Sequence, residues 1–220
     1  MTVPSTALAE VQAKIAQSAK IARREPDEIT LIAISKTKPQ DRILGLLEAG
    51  HRVFGENRVQ ESQEKWPALK ERFPDARLHL VGQLQSNKAD DAVALFDCIH
   101  SLDRHSMVKA LGKAMEKAGR QVPCFVQVNI GEEEQKGGCA IGDVPDLLAQ
   151  AREAGIPVVG LMCVPPFDIE AAPFFALLAK MAGEHGLDQL SMGMSGDYET
   201  AVRLGATHVR VGTALFGSRT

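Results

Sequence analysis

The chain has 220 residues, 45% of them hydrophobic and 24% charged, with a formal net charge of −3. Its Lys and Arg residues are spread along the chain with no dense basic run, which argues against a nucleic-acid partner. A chain of this length hides roughly 70% of its unfolded surface, so one core can stand without a disulfide or metal, and a single domain over residues 1–220 is expected.

The N-terminal stretch MTVPSTALAEVQAKIAQSAKIARRE lacks the apolar centre of a signal peptide, and no window of the chain approaches the ~20 apolar residues of a membrane span. A cytoplasmic protein without membrane contact is the expectation. Leu8, Val11, Ile15 and Ala22 recur at helical spacing behind Ser5 and Thr6, two residues able to cap, and describe an amphipathic helix laid on a core. Cys98, Cys124, Cys139 and Cys163 lie far apart with no C-x-x-C pair, which indicates neither a zinc knuckle nor a redox dithiol and suits a reducing compartment.

From Glu28 onward, short β-branched or apolar runs alternate with longer helical patterns, the rhythm of parallel strands joined by crossover helices. The runs are EITLIAIS ending at Ser35, HRVFG at Gly55, RLHLVG at Gly82, DCIHSL at Leu102, PCFVQVNI at Ile130, IPVVGLMCV at Val164, DQLSMGM at Met194 and THVRVG at Gly212. That number of strands closes a (β/α)8 barrel of the TIM type. Helical stretches lie between them, among others at 39–49, 105–118 and 171–185, and Gly50, Gly119, Gly155, Gly186 and Gly205 are placed to end helices in the left-handed conformation. After the last strand the tail TALFGSRT is too short for a full outer helix. The extra N-terminal helix is expected to cover that strand instead.

In such a barrel the chemistry sits at the C-terminal ends of the strands, and phosphate is commonly held after strands seven and eight. The first strand ends in ISKTKP, which puts Lys36 at the mouth with Pro39 near the start of the next helix. Taken alone, a lysine after a strand is most often a solvated loop residue. The seventh strand ends in SMGMSGD, where small residues expose backbone N–H groups and Asp197 or Ser195 can cap the following helix. The eighth ends in HVRVGTALFG, where Gly212 and Thr213 allow close backbone approach and supply a hydroxyl. Each motif alone makes ordinary turns; together they point to a phosphorylated ligand. His79 and His208 fall inside strands and read as core or supporting groups, and no histidine pair suggests a metal.

The motifs LIAISKTKP around Lys36, FGENRVQE at 54–61, HLVGQLQSNK at 79–88, VNIGEEEQKGG at 128–138, GLMCVPP at 160–166, SMGMSGD at 191–197 and RVGTALFG at 210–217 recur in one order along nearly the whole chain. By them the chain resembles the pyridoxal-phosphate homeostasis protein family, also called the proline-synthase co-transcribed or YggS-like proteins. The resemblance implies a single barrel of the alanine racemase N-terminal type that binds pyridoxal 5′-phosphate (PLP). It implies Lys36 as the lysine of an internal aldimine, a Schiff base with the cofactor. Phosphate ligands would come from Ser195, Gly196, Gly212 and Thr213, Arg210 would face the pyridine nitrogen, and Asn57 and Met162 would lie near the cofactor. Asn87 and Lys88 would line the rim, and Glu133 and Lys136 would cover the mouth. Gly196, Cys163 and Pro165 depart from the family pattern without touching the cofactor assignment.

An amine attacks the aldehyde only when unprotonated, so desolvation and positive neighbours such as Arg210 and Lys38 should lower the Lys36 pKa. An arginine against the pyridine nitrogen makes the ring a poorer sink for carbanion charge. Racemisation also needs an acid/base opposite the lysine, supplied in alanine racemase by a tyrosine of a second domain, whereas this sequence ends with the barrel and its one tyrosine is Tyr198. The leading expectation is therefore a non-catalytic protein of PLP homeostasis that stores, delivers or buffers the cofactor, in transient contact with PLP-dependent apo-enzymes. The alternative is a PLP-dependent enzyme with weak racemase or lyase activity on an amino acid. A third reading keeps the phosphate site but makes Lys36 a Schiff-base lysine for a sugar phosphate. With no coiled-coil heptad in view, a monomer is expected.

Overall fold

The computed structural model describes residues 4–217. In chain order it runs α1 (Pro4–Ile21), β1 (Thr30–Ile34), α2 (Gln40–Glu48), β2 (Val53–Glu56), α3 (Val59–Arg72), β3 (Arg77–Leu80), α4 (Ala89–Leu95), β4 (Cys98–Leu102) and α5 (His105–Ala118). The second half follows as β5 (Cys124–Val128), α6 (Val144–Glu153), β6 (Val158–Cys163), α7 (Ala172–Glu184), β7 (Gln189–Ser191), α8 (Tyr198–Arg203), β8 (His208–Val211) and the short α9 (Thr213–Phe216). The strands form one closed parallel barrel in sequence order, with β8 pairing back onto β1 through Thr30↔His208 and Ile32↔Arg210. This is the (β/α)8 barrel expected, with every expected run supplying its strand.

The strand alternation separates two environments. Residues such as Leu31, Ala33, Phe54, Leu78, Val209 and Val211 pack outward against the helices in the main apolar cluster, while Cys98, Phe125 and Met162 form a smaller cluster of their own. Side chains alternate across a strand, so His208, Arg210 and Gly212 share the face opposite to that of Val209 and Val211.

The first helix closes the ring. Leu8, Val11, Ile15 and Ala19 are buried, and α1 packs against α8, α9 and α2, filling the gap that the four-residue α9 leaves over β8 and β1. Arg24, just past α1, donates to the carbonyls of Val202 and Ala206 at 3.0 and 2.8 Å and pins this closure. Ser5 and Thr6, expected as caps, lie inside α1, because the helix already includes Pro4, a residue well suited to a first turn. Gly50 (φ 90°) and Gly119 (φ 58°) end their helices in the left-handed region, and the other three expected stops do the same. No helix among the described residues is long and apolar enough to cross a membrane.

Candidate functional site

Lys36 sits in the tight turn that follows β1, and that turn is held from three sides. Ser35, fully buried, donates from Oγ to Glu56 Oε1 at 2.7 Å and from its backbone N–H to the Gly55 carbonyl. The Lys65 ammonium, reaching in from α3, donates to the Ser35 carbonyl at 2.9 Å and pairs with Glu56 at 2.7 Å and Glu61 at 2.8 Å. Thr37 is a β-branched residue at φ 59°, a strained conformation. Its N–H donates to Glu61 Oε1 at 2.6 Å. Burial alone would raise the Glu61 carboxyl, but the Lys65 ammonium and the Thr37 N–H hold it below the usual range. Glu56 is fully buried and also accepts from the Trp66 indole. It faces α3 rather than the barrel interior, since Phe54, two residues earlier on the same face, packs on Trp66.

Beside this turn, since β8 pairs with β1, the loops after β7 and β8 are joined by a hydrogen bond from the Gly212 N–H to Ser195 Oγ at 3.3 Å. Asp197 stands at the position before α8, but its carboxylate folds back to accept the Met194 N–H at 2.6 Å instead of capping the helix. These loops and the Lys36 turn border a cavity of ≈340 Å³, lined by Ile34, Lys36, Asn57, Val81, Val164, Met194, Ser195, Arg210, Gly212 and Thr213. It contains the Lys36 amine, the Arg210 guanidinium, two hydroxyls and, among the described residues, no carboxylate. A depression of ≈480 Å³ lined by Gln121, Arg152, Pro157 and His185 lies before β5 and β6, at the end of the barrel that conventionally serves stability rather than chemistry.

Arg210 is 5% exposed. Its guanidinium donates to Ser191 Oγ at 2.6 Å and to the Cys163 carbonyl at 2.8 Å. Burial lowers its pKa, yet a guanidinium remains protonated in a protein. Of the residues singled out in the sequence, Lys36, Asn57, Ser195, Arg210, Gly212 and Thr213 therefore converge on one cavity. Met162 packs with Phe125 and Cys98 inside the barrel, and Val164, two residues on, reaches the cavity wall. Gly196 is exposed beside the cavity, and a Cβ there would meet nothing within 4 Å. Lys88 lines an adjoining groove with Asn57 and Gln83 and pairs with Asp91, and Asn87 lines neither space. Lys38 borders a small cleft beside Lys36 and donates to the Gly217 carbonyl at 3.4 Å. Lys136 ties the acidic loop down by pairing with Glu133 and donating to the Pro165 carbonyl at 2.9 Å. Tyr198 is buried in the apolar core and is not among the residues lining the cavity.

Glu56, Lys65, His100 and Ser191 were not legible as functional residues. Two signals were available: Ser191 is separated from Gly193 and Ser195 by steps of two, which puts all three on one face if the strand pattern is carried forward, and Glu56 directly precedes Asn57 within FGENRVQE.

Residues 8–220 match the family model of the alanine racemase N-terminal domain, which sets the class of the barrel. Within that class, the chain belongs to the pyridoxal phosphate homeostasis protein family. It is 36% identical over 222 residues to the Escherichia coli K12 pyridoxal phosphate homeostasis protein, covering 96% of this chain and 95% of that one. The Pseudomonas aeruginosa protein of the same name is 38% identical, covering 96% and 94%. Among solved structures, PipY of Synechococcus elongatus PCC7942, with PLP bound, superimposes with a TM-score of 0.81 at 38% identity, covering 92% of this chain and all of that one. An alanine racemase from Clostridium difficile 630 shares the fold alone, with a TM-score of 0.70 at 13% identity.

Proposed function

We propose that this protein binds pyridoxal 5′-phosphate in the Lys36 cavity and serves the homeostasis of that cofactor in the cytoplasm, holding, delivering or buffering it. The observation that carries this reading is the lining of the cavity: Lys36 and Arg210, the hydroxyls of Ser195 and Thr213, Gly212, and no carboxylate among the described residues. A small dianion is favoured there and a cationic ligand is not. When bound, the cofactor supplies an electrophilic aldehyde carbon. Lys36 is the amine on that wall, and the Glu56–Lys65–Glu61 network holds its turn in place.

On the neighbouring loops after β7 and β8, the Ser195 hydroxyl, the Thr213 hydroxyl and the N–H groups at the first turn of α9 would hold the phosphate without a compensating lysine. Arg210, which lines the cavity, would present a permanent donor to the ring nitrogen. A ring nitrogen held as an acceptor makes a poor sink for carbanion charge, which supports a carrier over an amino-acid enzyme. Asn57 bounds the cavity, Met162 supports its floor from below, and Gly196 leaves the loop after β7 open. The four free, buried cysteines suit a reducing compartment, and burial raises the Cys124, Cys139 and Cys163 thiols to about 12, leaving them unreactive.

The test is the visible absorbance of full-length protein incubated with PLP and desalted. Wild type is expected to retain a visible band and to pass cofactor to an apo-enzyme in a transient encounter. Lys36→Ala is expected to lose the band with unchanged circular dichroism. A retained band in Lys36→Ala refutes the assignment. Sustained α-proton exchange from an amino acid moves the protein to the enzyme class.

A further inference from the structure

Below the cavity, four strands contribute a line of buried side chains that ends at Arg210. His79 on β3 and His100 on β4 share a hydrogen bond between Nδ1 and Nε2 at 2.9 Å. His100 Nδ1 lies 2.8 Å from Ser191 Oγ on β7, and Arg210 Nη1 on β8 donates to that same oxygen at 2.6 Å. None of the four is more than 8% exposed, so each must satisfy its neighbour rather than water.

The direction of the line follows from its one permanent charge. A guanidinium only donates, so Ser191 Oγ accepts from Arg210 and has its own proton left for His100. The oxygen has a second lone pair, but His100 Nδ1 is the one other hydrogen-bond partner of Ser191 Oγ among the described residues, so assigning that proton to His100 Nδ1 leaves no buried hydroxyl unpaired. A neutral imidazole carries a single N–H, which then sits on Nε2 and points at His79 Nδ1, leaving the His79 proton on Nε2. Neutrality is enforced first by burial: His79, pressed further by His208, is lowered to about 3, and His100, pressed further by His79, His208 and Arg210, falls well below its usual value.

We propose that Ser191, His100 and His79 form a one-way hydrogen-bond relay that positions the Arg210 guanidinium in the cavity, with every tautomer in the relay dictated by the arginine. The relay stands on the hydrogen bonds alone; its consequence for PLP rests on the function proposed above. A competing use of the same residues is available, because ligand atoms of His79, Cys98 and His100 lie within 4.8 Å of one another and could converge on a metal ion. The relay argues against that use, since it engages both nitrogens of His100.

Two measurements separate the outcomes. In ligand-free full-length protein, long-range ¹⁵N–¹H imidazole spectra are expected to report both His79 and His100 as Nε2–H tautomers, with Arg210→Met releasing His100 from its fixed tautomer. His100 protonated on Nδ1, an unchanged His100 in Arg210→Met, or stoichiometric Zn²⁺ shifting both histidines would overturn the relay. In the second measurement, Ser191→Ala is expected to weaken PLP binding about tenfold, the scale of one lost charge-assisted hydrogen bond, and to shift the visible band of what remains bound. Ser191→Thr, which keeps the hydroxyl, is expected to restore both. Reduced melting temperature with unchanged affinity and band position would make Ser191 merely structural and sink the positioning role. Should wild type bind no PLP at all, the cofactor reading fails while the tautomers still judge the relay.

Discussion

Two polar clusters flank the wall of this barrel, and they solve the burial of polar groups in opposite ways. Outside the wall, under α3, the fully buried Glu56 pairs with Lys65, which also pairs with Glu61, and Lys65 and Glu61 reach toward water with 12% and 24% of their side-chain surface exposed. Inside the wall, where His100 and Ser191 have no exposure at all, the line is made of neutral groups with Arg210 as its only charge. The lesson is one of dielectric. An ion pair close to solvent can fix a backbone turn, here the one carrying Lys36, whereas a dry interior tolerates one cation only if each neighbour is a neutral acceptor or donor aligned to it.

Glu56 is the residue of the outer cluster whose loss should cost most. Glu56→Gln removes the carboxylate from under Lys65 and is expected to cost about 3 kcal/mol, the low end for a broken buried pair because Glu61 remains. Urea denaturation checks this, and a loss below ~1 kcal/mol would show the outer cluster to be a surface pair in disguise.

A smaller effect separates the clusters by pH. His79 and His208 have folded values of about 3 and about 4 against an ordinary 6.5. Both are lowered first by burial; His208 and Lys70 press further on His79, Asp97 opposes them, and Arg210 presses on His208. The folded state refuses protons that the unfolded chain accepts below 6.5, so this stability is complete above that pH and is lost as pH falls toward 4 and then 3. Between pH 7 and 5 the loss is on the order of 2 kcal/mol per histidine. His208→Gln is expected to remove its share of that slope, and equal urea midpoints for wild type at the two pH values would contradict the neutral interior. The smallest effect belongs to the loop hydroxyl: Ser195→Ala should weaken PLP binding by roughly fivefold, about 1 kcal/mol for one hydrogen bond, with no change in the visible band.

Much of this architecture was legible because it is local. Each strand announced itself by composition, the glycine stops by spacing, and the closing role of α1 by the shortness of the tail after Val211. The mouth residues were legible for the same reason, since Lys36, Ser195 and Gly212 each follow a strand directly. What stayed hidden depends on pairings between distant strands. His100 and Ser191 meet only because the staggered register carries β4 and β7 across the barrel, and 91 residues separate them. Met162 reads as a mouth residue in GLMCVPP, yet the register with Ser191 on β7 sets it one inward step below Val164. Glu56 faces α3 through packing on Trp66, which no periodicity in FGENRVQE reveals.

The Lys36 amine is the group on which PLP binding depends. Full-length protein loaded with PLP, reduced with borohydride and digested should yield a pyridoxyl group on the peptide containing Lys36 and on no other lysine. An unmodified Lys36 peptide, or a label carried by Lys38, Lys88 or Lys136 instead, would contradict it.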